Sequence, residues 1–488
     1  MSVEQVVASP TYLADIRNFF RPEDIEHMAL KGIDLATYDG VKRNALSVFT
    51  HTAPPTPDMP PDAEGQWSAE RSQTFRNWIV NGFPMGVAVP PVETPDTPST
   101  RIRKNIETLS ESELETLKTA FAGLMARPAS APDSYFALAG IHGLSQRWCL
   151  HHEDRYNPWH RVYLQVFEDA LRSVPGCADV TLPYWDIRTP LPDRLQEPPF
   201  DQYALPEDPG AAATPQPVAG YFPYKTERFS PAEIALNVEA FGVLSDIATS
   251  MKQSIWGEYN VDGYQDFSIQ AHDGGHGSIG PTMGDQNVAS FDPVFWFFHC
   301  NLDRLWLSWQ HKVGATTLTG FKSTLTTSAE WLSAPFNALP PFDATSDASI
   351  DLPIAYDKLD TGDTMENTVG SLRAARTFSI KRSSPVSVRV KGISRLDIPG
   401  SFAVNLLADG RPIAKRYFFQ PNLPRDCETC RKHGIINIDF RLDQDSILDR
   451  TLTVTIDVPG HGDQVGTAFP LDQAGSPTIN ARLLLEDE

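Results

Sequence analysis

The chain has 488 residues, 41% hydrophobic and 21% charged, which predicts an ordinary globular protein of two or three domains. A formal net charge of −21 argues against nucleic acid and membrane surfaces as partners, because both repel an acidic protein. Five cysteines (Cys149, Cys177, Cys300, Cys427 and Cys430) exclude a disulfide scaffold. The opening MSVEQVVASPTYLADIRNFF lacks a basic start and apolar run, and no stretch is apolar enough to span a bilayer, so a cytoplasmic location is expected.

Residues 1–95 read as an N-terminal extension containing the proline-rich APPTPDMPP (53–61), with a second such stretch, VPPVETPDTPST, ending near 100. A core follows over 96–325. Its first helix is predicted in ESELETLKTAFAGLMA, with Ser110 as N-cap and Glu113 completing a capping box. PWHRVYLQVFEDALRSV has apolar residues at three-four spacing and reads as a helix. Residues 189–222 read as a loop and 231–256 as helical. FDPVFWFFHCNLDRLWLSWQ is apolar on most faces, with Asp292 and Pro293 at its start, and predicts a buried central helix. Residues 326–370 read as a linker. From 371 to 488 short β-rich runs alternate with turns, and Asp409-Gly410 marks a hairpin. The fold class expected is multidomain α+β: a mainly helical core arranged as an antiparallel bundle, and a C-terminal β-sandwich or barrel.

The chemistry sits in histidines. Of the twelve in the chain, four fall between 142 and 160, around CLHHEDRYNPWHR. In AHDGGHG, His272 and His276 are four apart, which puts both on one helix face. His299 lies mid-way along the buried helix, where a polar ring needs a partner. Each feature alone has a plain reading, as surface or hydrogen-bonded core histidines. Together they offer two groups of three imidazoles without carboxylates. That donor set suits copper, zinc or iron, and differs from carboxylate-bridged di-iron and zinc hydrolase sites.

Three segments carry a resemblance: GIHGLSQRWCLHHEDRYNPWHRVYLQVFEDAL with LPYWDI after it, HDGGHGSIGPTMGD, and SFDPVFWFFHCNLDRLWLSWQ. They resemble the type-3 copper family of tyrosinases, catechol oxidases and molluscan-type haemocyanins, and fungal pro-tyrosinases with a C-terminal lid domain in particular. The resemblance implies two copper ions, one on His142, His151 and His160, the other on His272, His276 and His299. His152 is then no ligand, and Phe298 stands where many members have a second histidine. Cys149 would form a thioether to His151, fixing that ring in advance. Asp273 stands where phenol-hydroxylating members often have Asn, and would take the phenol proton. Asp303 would orient a ring or pair with Arg304. Cys427 and Cys430 resemble a copper-delivery C-x-x-C, the alternative being a labile disulfide or inert thiols. Phe418, flanked by Tyr417 and Phe419, is the residue expected to plug the site from the lid.

The function implied is a latent tyrosinase that hydroxylates monophenols and oxidises o-diphenols with O2. A catechol or o-aminophenol oxidase and a haemocyanin-like oxygen carrier are the alternatives. Partners would be O2 and small phenols, with neither nucleic acid nor membrane, and a homo-oligomer is compatible.

Overall fold

The computed structural model describes residues 6–12, 15–29, 31, 33–53, 59–60, 66–85, 101–144, 149–207, 224–257, 262–336, 344–360, 385–459 and 466–483. The second proline-rich stretch, most of the first, and residues 208–222 of the expected loop lie outside these. The chain divides into two compact units, Met1–Pro98 with Ala334–Thr345, and Ser99–Ser333 with Ser346–Glu488.

The first unit holds helices α1 (Pro22–Ala29), α2 (Tyr38–Thr52) and α3 (Ala69–Val80). The side chains of Thr37 and Ser68 accept backbone N–H groups at the starts of α2 and α3, satisfying donors a helix leaves open. Ile16, Val41, Phe75 and Trp78 form its buried centre.

The second unit opens with β1 (Arg101–Arg103), α4 (Glu111–Met125), α5 (Tyr135–Gly140) and α6 (Tyr156–Arg172). The Ser110–Glu113 capping box is present, both bonds included. Short strands β2 (Ala204–Leu205) and β3 (Tyr224–Lys225) pair ahead of α7 (Pro231–Ala240) and α8 (Val243–Ser250). The continuous helix expected over 231–256 is therefore two. Gly242, at φ 75°, sits in the left-handed region between them, and an added Cβ would lie 2.2 Å from the Arg416 guanidinium.

α9 (Tyr264–Ile279), α10 (Pro281–Gly284) and α11 (Val294–Val313) complete the site-bearing part, followed by α12 (Leu318–Lys322) and α13 (Glu330–Ser333). α11 is buried on nearly every face, and the Asp292 carboxylate accepts the Val294 N–H at its start. β4 (Ile354–Tyr356), within the stretch expected as a linker, runs parallel to β1.

The C-terminal part is a sandwich of two open sheets. Its strands are β5 (Pro385–Ser394), β6 (Phe402–Ala408), β7 (Arg411–Phe418), β8 (Ile435–Asp443), β9 (Leu452–Val458), β10 (Thr467–Phe469) and β11 (Thr478–Leu483). One sheet has the order β10-β9-β6-β7 and the other β11-β5-β8. The β6–β7 hairpin turns at Asp409-Gly410, both at positive φ, as the sequence pair demands. α14 (Glu428–Lys432) lies between β7 and β8. Among the described residues no helix is long and apolar enough to cross a membrane.

Candidate metal centre

Five places in the helical core bring six histidines together. His142 follows α5, His151 lies ahead of α6, and His160 sits in its second turn; α9 supplies His272 and His276, α11 supplies His299. Helical spacing puts His272 and His276 on one face, as expected. All six are buried. Donor atoms of His142, His151 and His160 lie within 4.8 Å of one another, as do those of His160, His272 and His299. His276 Nε2 is 3.1 Å from His299 Nε2. His160 thus stands between two overlapping sets.

The second nitrogen of most rings is held by the protein. His160 Nδ1 is 2.8 Å from the Tyr156 carbonyl, His276 Nδ1 2.7 Å from the Met283 carbonyl, and His272 Nδ1 2.9 Å from Asp273 Oδ1. The Gln286 amide nitrogen is 2.8 Å from His151 Nδ1 and 3.0 Å from Cys149 Sγ. Such partners fix ring orientation and aim the other nitrogen inward. Nε2 of His142, His151, His160 and His272 has no hydrogen-bond partner in the fold. Buried orphaned nitrogens are rare in proteins, and so many pointing together fit a metal. Burial pushes all six rings toward the neutral form, His160 down to about 3, which is the form that binds metal.

Asp273 is buried and both its oxygens are engaged, Oδ1 by His272 as above. Its Oδ2 lies 2.9 Å from His152 Nε2 and accepts the Phe419 N–H at 3.0 Å. His152, at φ 55°, turns away from the six-histidine cluster. Phe418 corrects an expectation. Its ring stacks on His152 at 4.3 Å and belongs to the sandwich core, whereas Phe419 reaches the cluster. The Phe419 ring lies 4.0 Å from His276 and 5.4 Å from both His151 and His272. Alternation along β7 explains this: Phe418 points into the sandwich, and Tyr417 and Phe419 point the other way.

Asp303 also differs from expectation. It binds Arg161 at 2.6 Å and Arg103 at 3.3 Å and accepts the Tyr356 hydroxyl at 2.6 Å, while Arg304 pairs with Asp186. Arg161 follows His160, and Asp303 lies one turn past His299, so this pair ties α6 to α11. Cys427 and Cys430 are joined as a disulfide, a state with no thiolate to offer copper. Gln286, Tyr156 and Met283 went unforeseen in the sequence, since ring-orienting partners carry no motif of their own.

β7 holds the sandwich against the histidines. Arg416 binds Asp246 through two bonds of 2.6 and 3.0 Å, and the Tyr417 hydroxyl donates to the Gly284 carbonyl. The glycines of HDGGHG make room: a Cβ on Gly275 would strike Phe298, and one on Gly277 would lie 2.4 Å from the Tyr417 ring.

A helical core with two overlapping all-imidazole sets defines a candidate binuclear metal protein. Residues 132–312 match the family described as the common central domain of tyrosinase. Haemocyanin type 2 unit e of Rapana venosa is 32% identical over 235 residues, covering 43% of this chain and 54% of that protein. The tyrosinase HcTyr1 of a Hahella strain is 27% identical over 259 residues, covering 44% of this chain and 54% of that protein. The chain thus spans about half the length of these relatives. In fold it is similar to the tyrosinase of Burkholderia thailandensis at high pH, with a TM-score of 0.56 and 20% identity, covering 79% of this chain and all of that one. Over residues 132–312 the chain is similar to the tyrosinases and haemocyanins of the type-3 copper family.

Proposed function

We propose that this protein is a latent dicopper phenol oxidase, a tyrosinase acting on small phenols with O2. The observation that carries the reading is the convergence of six buried neutral imidazoles, four of them with an Nε2 that has no hydrogen-bond partner. His142, His151 and His160 would hold one copper; His272, His276 and His299 the other. A bound copper pair supplies the redox chemistry with O2; the protein supplies orientation and a dry pocket. Tyr156, Met283, Asp273 and Gln286 hold the rings in place.

Phe419 lies against three of these rings, where an aromatic substrate would have to sit, and so supports latency. Withdrawing it also removes the Phe419 N–H from Asp273 Oδ2, leaving that oxygen with His152 and one acceptor position free for a phenolic proton. Cys149, sharing the Gln286 amide with His151, supports the thioether. Intact mass tests that bond: active, copper-loaded protein should be lighter by two hydrogens, and an unmodified mass would refute it. Copper delivery through Cys427 and Cys430 would first require their reduction.

Oxygen uptake on L-tyrosine, beside L-DOPA, tests the function in the full chain and in protein trimmed near residue 370. Uptake on both, faster after trimming, is expected. Uptake on L-DOPA alone would make it a catechol oxidase. A second reading, an oxygen carrier, is favoured by the haemocyanins among its relatives. Reversible oxygen binding without turnover after trimming would select it.

A further inference from the structure

We propose that the Cys427–Cys430 disulfide is a thiol–disulfide exchange site that controls how firmly Phe419 is held, its substrate being a dithiol reductant. This rests on the reading of Phe419 as the plug. The connection is a short chain of contacts. Arg395 is fully buried, and its Nη2 donates to Cys430 Sγ at 3.3 Å. Its Nε donates to Gln420 Oε1 at 3.0 Å, and its guanidinium lies 4.7 Å from the Phe418 ring centre. Phe418 and Gln420 flank Phe419 on either side. Gln420 is buried too, and its amide nitrogen donates to the carbonyls of Arg395, Ile398 and Gly400. One cation therefore holds both neighbours of the plug while touching a sulfur of the disulfide.

The sulfurs differ in access. Cys430 is buried and Cys427 partly exposed, at the N-cap of α14 where its Sγ accepts the Cys430 N–H. A reductant thiolate attacks Cys427 Sγ; the S–S bond breaks and its electron pair leaves on Cys430. The reductant's second thiolate then displaces Cys427, so the reductant ends as a disulfide. Two electrons enter the protein, and the two hydrogens lost by the reductant appear on the two cysteines. The leaving Cys430 sulfur carries the electron pair beside the Arg395 guanidinium, a stronger acceptor there than the disulfide sulfur it replaces. That acceptor competes with Gln420 Oε1 and the Phe418 ring, while α14 loses its crosslink. Reduction loosens the hold on Phe419.

Hydrogen exchange by mass spectrometry on the full-length chain tests this, before and after dithiothreitol treatment and anaerobic gel filtration. The segment around Phe419, whose N–H is donated to Asp273, should exchange about tenfold faster after reduction, α9 should be unchanged, and reoxidation should restore protection. The Cys427→Ser/Cys430→Ser variant should exchange fast and ignore dithiothreitol. Equal exchange in the two states, acceleration spread through the helical core, or a response surviving in the double variant would overturn the proposal. The readout is backbone exchange, so its failure leaves phenol oxidation standing, and a failure of oxidase activity leaves the exchange result intact.

Discussion

Asp273 is one carboxylate holding three things: a candidate copper ligand, the neighbouring His152 and the backbone of the plug. The six candidate metal-site histidines were legible in the sequence because they cluster and because the segments around them resemble the type-3 copper family. Asp273's partners were not, since His152 lies 121 residues away along the chain and Phe419 146. Asp303 makes the same point. Its neighbour Arg304 was the natural guess, yet it binds Arg161 and Arg103, brought close only by the packing of β1, α6 and α11. Removing it would strand two buried guanidinium groups. Asp303→Ala is therefore expected to lose about 3–5 kcal/mol in urea unfolding at constant pH. A loss below about 1 kcal/mol would mean that Glu168 and Gln310 suffice for the two arginines.

At the scale of elements, α9 and β7 pack closely beside the histidines, and on the proposed reading this contact governs access to them. Glycine inside a helix is destabilising by roughly 1 kcal/mol against alanine, so Gly274, Gly275 and Gly277 need a reason. Close packing is that reason, with Gly277 facing the Tyr417 ring of β7. Gly277→Ala should push Tyr417 back and unseat Phe419, raising turnover by the full-length chain toward that of the trimmed protein. The same change in trimmed protein should have little effect. If full-length turnover fell and trimmed turnover fell with it, the glycine would serve the metal site itself. The sequence displayed these glycines and the β-rich runs, and the hairpin at Asp409-Gly410 followed from turn chemistry. It could not display which face of β7 meets the core: a one-residue shift in strand phase exchanges Phe418 for Phe419.

At the scale of the molecule, acidic side chains gather where sheet and helix approach. Asp266 on α9 is largely buried, faces Asp262, Asp439 and Asp246, and has its carboxyl pushed up to about 7, first by burial and then by those charges. Gln270 donates to it at 2.9 Å. A carboxyl whose folded value exceeds its unfolded one binds a proton more tightly when folded. Its contribution is fully present below about pH 4 and is lost as pH rises toward 7. Asp266→Asn should stabilise the chain by about 2 kcal/mol at pH 8, allowing for residual solvent screening, and leave pH 4 almost unchanged. Thermal unfolding at the two pH values checks this; equal shifts at both would contradict it.

The order of the chain gives Phe419 one more consequence, in time rather than space. The last imidazole of the cluster, His299, is synthesised about 120 residues before the plug, and at roughly 5–20 residues per second that leaves some 6–24 seconds. During that interval the histidine set is complete and nothing yet covers it. On the proposed reading, the nascent chain has a copper-loading window that closes when the sandwich forms. Copper added to finished, metal-free full-length protein should enter more slowly than into the trimmed form, and copper present during synthesis should remove the difference in final occupancy.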